Sequence, residues 1–368
     1  MKKLSPKALA TLVAAVALSA LAMFAFAGCG QSSDSNSGSS ASNAGSSQSA
    51  GSDKQGDTAG TVTTDIDMSS YGAGKSVRVW VPVAQDYEYQ KVTDVAYDAP
   101  GAKTAEITED SAGNKALCLE WDKDAKPEER KATLSFKADR ELVSRPELVE
   151  KDGELPSDVA EYLKGSRLVP VNDQVKDAAN KIVEGKTSDL DKARAIYDWI
   201  VQNMTRDENV EGCGQGDVCA LLTTQSGKCT DINSVFVGLC RAVGIPAREM
   251  FGVRMNADDI TANQHCWAEF YLNGTGWVSA DPADVLKAVL KGGWTKDQQE
   301  TKDKAEYYWG GLDSQRVQLS AGRDITLSPA QNDEALNYFG YPYGEVDGSA
   351  LDFYDPENFS YRIFFTAE

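Results

Sequence analysis

Apolar and polar residues alternate through the first part of the chain. Runs such as Val77–Val83, Leu117–Trp121 and Ala132–Ala138 place an apolar side chain at every second position. Asp, Gly and Pro clusters separate these runs. Period-two alternation broken by turn residues is typical of antiparallel β-strands. The pattern predicts a small all-β domain over residues 62–145, with no residue that carries chemistry.

The apolar spacing changes beyond residue 170. Apolar positions in residues 175–182 and 190–204 recur every three to four residues, which is the period of a helix. Ser188, with Asp191 three positions later, is an N-terminal capping pattern for the second of these helices. A third apolar run, residues 229–243, is followed by glycine and proline, which commonly end helices. We therefore expect three helices in this part of the chain.

Two strand-like runs follow, residues 265–272 and 276–280, joined by Asn-Gly-Thr-Gly, a sequence typical of a hairpin turn. Antiparallel pairing across that turn brings His265, at the start of one run, beside Asp281, which follows the other. The alternation predicts that His265 and Cys266 point to opposite faces of the sheet. This geometry favours Asp281 over Asp284, which lies beyond a proline, as the partner of the histidine.

Three residues in these elements form a candidate catalytic group. His265 is the only histidine of the chain, and Cys229 would lie in the first turn of a helix. The partial positive charge of a helix N-terminus stabilises a thiolate, and an imidazole beside it activates the nucleophile. A carboxylate on the other ring nitrogen, Asp281, would orient the imidazole. Each residue alone has an ordinary structural explanation, but their order and context together favour a Cys-His-Asp triad for acyl transfer.

The motifs around these residues resemble a known family. Gly227-Lys228-Cys229-Thr230-Asp231, the tract from Arg241 to Arg248, His265-x-Trp267-x-Glu269 and Trp277-x-x-x-Asp281-Pro282 are together similar to the transglutaminase-like core, a papain-type cysteine fold. The resemblance covers about residues 170–285. It implies an α+β architecture: N-terminal helices packed on an antiparallel sheet, here preceded by the small all-β domain. On this interpretation residues 146–285 are the catalytic core and residues 286–368 an aromatic-rich C-terminal extension of it.

The resemblance also implies an activity. Cys229 would attack a carboxamide or peptide carbonyl, and water or an amine would resolve the acyl-enzyme. The residues do not distinguish a peptidase or amidase from a transamidase, although an exported enzyme meets abundant water, which favours hydrolysis. A protein or peptide substrate is implied, with cell-wall peptides as one candidate class, and no metal or organic cofactor.

Two other functions stay open from the sequence. The same fold could serve as a catalytically silent binding module at the cell surface. Alternatively, the aromatic residues after residue 286 could line a carbohydrate or peptide groove in a wall or adhesion protein, although packing is the commoner role of such residues.

The N-terminus resembles that of an exported protein. Three lysines precede a nearly all-apolar run, Ala8–Phe26, which predicts a signal peptide over residues 1–28; a retained transmembrane helix is the alternative. Phe26-Ala27-Gly28-Cys29 resembles a bacterial lipobox, with Phe26 in place of the usual leucine, so Cys29 is the expected lipidation site. Residues 29–61 are rich in Ser and Gly and predict a flexible tether. We expect a protein on the extracytoplasmic face of the membrane, held by a lipid anchor.

Charge and cysteine content add two expectations. The chain has 37 basic and 56 acidic residues, a net charge of −19, which argues against a nucleic-acid partner. Export permits disulfides, and Cys213 with Cys219 in a glycine-bearing loop is the best candidate pair. The loop, Thr205–Gly227, would line a substrate cleft and could supply Gln215 or Gln225 to an oxyanion hole, although ordinary surface glutamines are the commoner case.

Overall fold

The structure is a computed structural model that describes residues 56–144 and 147–368. The predicted signal peptide and most of the predicted tether, with Cys29, lie outside the described residues. In the described part, no helix is both long and apolar enough to span a bilayer. The described residues belong to one compact unit.

Fifteen strands are assigned within this described part. They are β1 (Thr58–Asp67), β2 (Val77–Val83), β3 (Gln90–Asp98), β4 (Thr104–Glu109), β5 (Lys115–Trp121), β6 (Lys131–Arg140), β7 (Thr205–Arg206), β8 (Ser226–Gly227), β9 (Ala247–Arg254), β10 (Gln264–Leu272), β11 (Gly276–Ala280), β12 (Arg316–Ala321), β13 (Tyr343–Val346), β14 (Ser349–Ala350) and β15 (Ser360–Ala367).

Seven α-helices accompany them in the same residues. They are α1 (Ser157–Ala160), α2 (Asp173–Ile182), α3 (Asp189–Asn203), α4 (Val218–Thr224), α5 (Cys229–Ala242), α6 (Pro282–Gly292) and α7 (Gln299–Tyr307). The α+β class expected from the sequence is confirmed, as are the three predicted helices and the capping of α3, where the Asp191 N–H donates to Ser188 Oγ at 3.0 Å.

The sheet that carries His265 is antiparallel, with strand order β11-β10-β9-β12. Helix α5 packs on it, and every residue from Cys229 to Arg241 is buried. Phe236 of α5 meets Phe270 of β10 edge to face, with ring centroids 5.9 Å apart. A helix that is buried all round lies at the centre of a domain, so α5 is the element around which the core is built.

The N-terminal strands form two further sheets, with orders β15-β1-β6-β3 and β14-β13-β2-β5-β4. Inward-facing apolar side chains of β1, β2, β5 and β6 meet in one cluster between them. The C-terminal segment contributes to all three of these sheets: β12 extends the sheet that carries His265, whereas β13 pairs with β2 and β15 pairs with β1. Strands from the two ends of the described residues therefore share sheets. The domain boundaries at residues 145 and 285 stay predictions.

The loop expected between residues 205 and 227 is more ordered than the sequence suggested. It contains α4, and β7 pairs with β8 in parallel across it. Asp217 caps α4, accepting from the Ala220 N–H at 3.2 Å, and Val218 and Leu221 are buried at helical spacing. Helix α4 has seven residues, about two turns. A helical repeat of apolar positions is hard to recognise over so short a stretch of a polar segment.

Candidate active site

Cys229 lies at the first position of α5, as the sequence predicted. Asp231 in the same turn accepts hydrogen bonds from the backbone N–H groups of Lys228, at 3.0 Å, and Gly216, at 2.8 Å. A Cβ at Gly214 or Gly227 would run into the Asp231 side chain, so both glycines are needed for this close approach. The turn presents Cys229 at the positive end of the helix, where its side chain is only 3% exposed.

His265 and Asp281 meet as the predicted hairpin requires. Strands β10 and β11 pair from Leu272 opposite Gly276 to Ala268 opposite Ala280, and the register brings Asp281 to the His265 end. His265 Nε2 lies 2.7 Å from Asp281 Oδ2. The other carboxylate oxygen of Asp281 accepts the backbone N–H of Asp284 at 3.1 Å and caps α6. The carboxylate is therefore fixed by the fold on one side and holds the imidazole on the other.

Three side chains influence the charge of the Cys229 thiol. Hydrogen bonds from the Cys213 and Cys266 thiols, and then from the His265 imidazole, hold the pKa of Cys229 well below its usual range despite burial. Because Nε2 of the imidazole faces Asp281, Nδ1 remains for the thiol. Hydrogen bonding to Cys229 raises the pKa of Cys213, and burial raises that of Cys266. Of the three sulfurs, Cys229 is the one that carries a negative charge most readily.

A buried arginine that the sequence analysis missed completes the carboxylate side. Arg316 of β12 donates from Nη1 to Asp281 Oδ2 at 2.6 Å and from Nη2 to Asp284 Oδ2 at 2.9 Å. It also pairs with Asp313, and its guanidinium lies 5.8 Å from the Trp267 ring centroid. The Arg316 side chain is fully buried. This arginine balances the charge that Asp281 and its neighbours bring into the interior.

Asn233, one helical turn after Cys229, is a second residue that sequence reasoning missed. Its Nδ2 donates to the Cys266 backbone carbonyl at 2.9 Å and lies 3.4 Å from Asp281 Oδ1. The amide thus ties α5 to β10 and to the carboxylate. Its spacing four residues after Cys229, on the same face of the predicted helix, was the signal that could have identified it.

The loop before α4 covers the thiol. Cys229 Sγ lies 4.0 Å from the Cys213 carbonyl oxygen, and the Thr230 N–H donates to that carbonyl at 2.9 Å. The Cys213 thiol in turn accepts from Tyr341 Oη at 3.3 Å, so the aromatic C-terminal segment packs on this loop. Cys213 therefore contacts both α5 at Cys229 and the aromatic residues.

Two other expectations for this loop are wrong or unsupported. Cys213 and Cys219 are both free, and the expected disulfide is absent: Cys213 is buried against α5, whereas Cys219 lies on α4 beside Asn172. Gln215 Oε1 accepts from Asn337 at 3.3 Å. Gln225 ends α4 in a left-handed conformation, with φ of 51°. No contact among the described residues brings either glutamine side chain to Cys229.

One group of side chains has the spacing of a metal site. Ligand atoms of His265, Asp281 and Asp284 lie within 4.8 Å of one another. Arg316 pairs with both carboxylates, and Arg254 also pairs with Asp284. Two guanidinium groups already occupy the positions and supply the positive charge that a cation would bring, so these residues do not fit a metal ion.

Comparison with known proteins gives the class of protein that this fold and site define. Residues 176–282 match the model of the transglutaminase-like superfamily. An uncharacterized protein of Haemophilus influenzae is 38% identical over 329 residues, which cover 82% of this chain and 89% of that protein. The chain belongs to the transglutaminase-like superfamily.

Two further similarities are more distant. The uncharacterized protein YebA of Bacillus subtilis is 27% identical over 146 residues, 33% of this chain and 19% of that protein. A solved structure described as a proposed cysteine protease of Cytophaga hutchinsonii superposes with a TM-score of 0.50 and 18% identity. That superposition covers 84% of this chain and 98% of the other. At this identity the likeness concerns the fold.

Proposed function

We propose that the protein is a surface-anchored thiol enzyme that transfers acyl groups from peptide or carboxamide carbonyls through Cys229, His265 and Asp281. The observation that carries the proposal is the 2.7 Å contact between His265 Nε2 and Asp281 Oδ2 beside a thiol at the start of α5. A nucleophile, a base within its reach and a carboxylate that orients the base are the parts that covalent acyl transfer requires.

The mechanism follows from these positions. The Cys229 thiolate attacks the carbonyl carbon, and the backbone N–H of Cys229, at the start of α5, would stabilise the oxyanion. His265 donates its proton to the leaving ammonia or amine, the C–N bond breaks and a thioester forms. Water or a second amine then attacks the thioester and gives a proton to His265, and the thiolate leaves. Asp281 holds the imidazole through both steps.

Access to the thiol sets a condition on this chemistry. Cys229 is 3% exposed, and the Cys213 carbonyl lies 4.0 Å from its sulfur. A peptide can therefore reach Cys229 only when the segment around Cys213 moves. Loops that close over a site also exclude water, which would favour an amine acceptor over hydrolysis. The choice between peptidase or amidase and transamidase thus depends on how far this segment opens.

The proposal includes a location and a substrate class. The lipobox-like sequence before Cys29 supports export and attachment to the membrane by a lipid anchor, which would hold the folded part on the extracytoplasmic face. Protein or peptide substrates, including cell-wall peptides, are accessible there.

Incubation of the purified full-length protein with glutamine-containing peptides, with and without a primary amine, tests the proposal by mass spectrometry. Hydrolysed peptides or deamidated glutamine indicate a hydrolase, and amine adducts indicate a transamidase. Cys229→Ala should abolish the products, a loss of at least about 10³-fold, because it removes the nucleophile. Cys240→Ala, which removes a buried thiol elsewhere on α5, is the matched control.

Thiol labelling separates the enzyme from a silent binding module. Cys229 should react with iodoacetamide faster than N-acetylcysteine at neutral pH, and His265→Ala should slow that reaction. A rate no faster than that of N-acetylcysteine and unchanged by His265→Ala, with no peptide product, would favour the binding module.

A further inference from the structure

Positive charge collects beside the nucleophile of a strongly acidic protein. Strand β7 pairs with β8 so that Arg206 lies opposite Gly227, two residues before Cys229. Lys228 immediately precedes the nucleophile, and α6, which begins after Asp281, carries Lys287. The elements that position the triad thus bring together three basic residues in a chain of net charge −19. We call Arg206, Lys228 and Lys287 the cationic cluster.

The charges of the cluster act on one another and on the thiol. The pKa of Lys287 is lowered to about 8, mainly by burial. The positive charges of Arg254 and Arg206 contribute to this shift, whereas the negative charge of Asp284 opposes it. A hydrogen bond to Arg206 and the charges of Lys228 and Lys287 lower the pKa of Glu208, and a negative Cys229 stabilises the charge of Arg206. The three cations therefore share one region with the nucleophile.

Arg206 has unused hydrogen-bonding capacity there. Its Nε and Nη2 donate to Glu208 at 2.8 and 3.3 Å, but Nη1 is buried without a hydrogen-bond partner. The Arg206 side chain is 8% exposed, whereas that of Glu208 is 48% exposed. A buried donor left unpaired lowers stability and calls for an explanation. A guanidinium N–H is the group that binds carboxylates best.

We propose that the cationic cluster selects substrates with a carboxylate next to the carbonyl that Cys229 attacks, and that Arg206 Nη1 binds this carboxylate. The inference rests on the proposed function, because it concerns the acyl group transferred to Cys229. The carboxylate would belong to an acidic side chain or to a free chain terminus. Arg206 is in this view a specificity-determining residue.

A pair of alkylating reagents tests the inference without a known substrate. In both iodoacetate and iodoacetamide, the Cys229 thiolate attacks the CH₂ carbon, a thioether forms and iodide leaves; the reagents differ only in carboxylate against carboxamide. The ratio of their rates at Cys229, measured by mass spectrometry of the peptide that contains it, cancels any change in thiolate content. The reference is the same ratio for N-acetylcysteine.

In the full-length protein the ratio of the iodoacetate rate to the iodoacetamide rate should be about tenfold larger than in N-acetylcysteine, because a positive field raises the local concentration of anions. Arg206→Gln should remove most of the preference, and Lys287→Gln part of it. Lys131→Gln, which removes one charge from β6 at a side chain 55% exposed, is the matched control and should leave the ratio unchanged. The iodoacetamide rate reports in every variant whether the site is intact.

Two results would overturn the inference in different ways. In the first, Cys229 reacts fast with iodoacetamide, but the rate ratio equals that of N-acetylcysteine and does not change in Arg206→Gln. The proposed thiol enzyme would then still hold, and Arg206 would serve only as a counter-charge for Asp284. Slow reaction with both reagents, insensitive to His265→Ala, would remove the proposed function itself. Once a peptide substrate is found, Glu against Gln beside the reacting residue, and a free against an amidated terminus, distinguish the two sources of carboxylate by kcat/KM.

Discussion

The two ends of the candidate triad are built differently. At the carboxylate end, Asp281 Oδ2 is contacted by both His265 Nε2, at 2.7 Å, and Arg316 Nη1, at 2.6 Å, and Asp284 and Asp313 also pair with Arg316. At the sulfur end, Cys229 is surrounded by neutral thiols and lies near Arg206, whose Nη1 has no partner. At the carboxylate end the buried charges pair with one another, although Asp284 Oδ1 and Arg316 Nε lack a hydrogen-bond partner. At the sulfur end the cation is Arg206, whose salt-bridge partner Glu208 is 48% exposed.

The difference suggests a division of labour between stability and chemistry. Buried charges persist only when they are paired, so the carboxylates of this end need their arginine partners whether or not a substrate is bound. The sulfur end carries the thiol on which the proposed reaction depends. Substitutions at the carboxylate end should therefore act on folding, and those at the sulfur end on reactivity.

The largest expected effect comes from substitution of Arg316, at the carboxylate end. Arg316→Met should lower the free energy of unfolding by about 3–5 kcal/mol, because it takes one counter-charge away from each of the buried carboxylates Asp281, Asp284 and Asp313. Arg206→Met removes a guanidinium whose Nη1 has no hydrogen-bond partner and whose ion-pair partner, Glu208, is half exposed. It should lower the free energy of unfolding by about 1 kcal/mol or less. Urea denaturation of the two variants measures both values. Equal losses would contradict the contrast between the two ends.

A smaller effect, dependent on pH, is expected at Asp313. Burial would raise the pKa of this carboxyl, but the charges of Arg316 and Arg254 lower it to about 2. A carboxyl whose folded pKa lies below the unfolded value of about 3.9 contributes stability above that value. The contribution, about 2 kcal/mol, is lost as the pH falls from about 4 towards 2.

Asp313→Asn should therefore be less stable than the original protein at pH 7, and the difference should shrink below pH 4. Unfolding free energies from urea titrations between pH 3 and 7 measure it. Asp65→Asn, on the exposed side of β1, serves as the control and should show no such dependence. A deficit that stays constant over this range would mean that Asp313 acts through packing rather than charge.

The sequence predicted the parts of the site that depend on local pattern. The apolar run after Cys229 indicated the helix that presents the thiol, and the period-two run from His265 with its hairpin turn indicated the register that brings Asp281 near. Both are set within a few tens of residues by periodicity and turn chemistry. The superfamily follows from the same motifs, whereas the catalytic roles of the three residues stay predictions.

The parts that the sequence did not reveal depend on distant contacts. Arg316 lies 35 residues after Asp281 and pairs with three of the chain's 56 acidic residues, and nothing in its local pattern selects them. Cys213 comes to Cys229 through a loop fastened by Asp231, a contact that the spacing of cysteines does not encode; the same spacing suggested Cys219 instead. Long-range pairing of buried polar groups is a property of the packed interior rather than of any one segment.

The smallest expected effect lies at the sulfur end, in the thiol beside the nucleophile. Hydrogen bonding from Cys213 is the main influence that lowers the pKa of Cys229. Cys213→Ala should move the pH profile of Cys229 alkylation by iodoacetamide to higher pH, with little change in the free energy of unfolding. Cys213→Ser keeps a hydroxyl donor and should leave the profile close to that of the original protein. If serine and alanine shifted the profile equally, hydrogen bonding from residue 213 would not be the cause, and the thiolate would depend on Cys266, His265 and the start of α5.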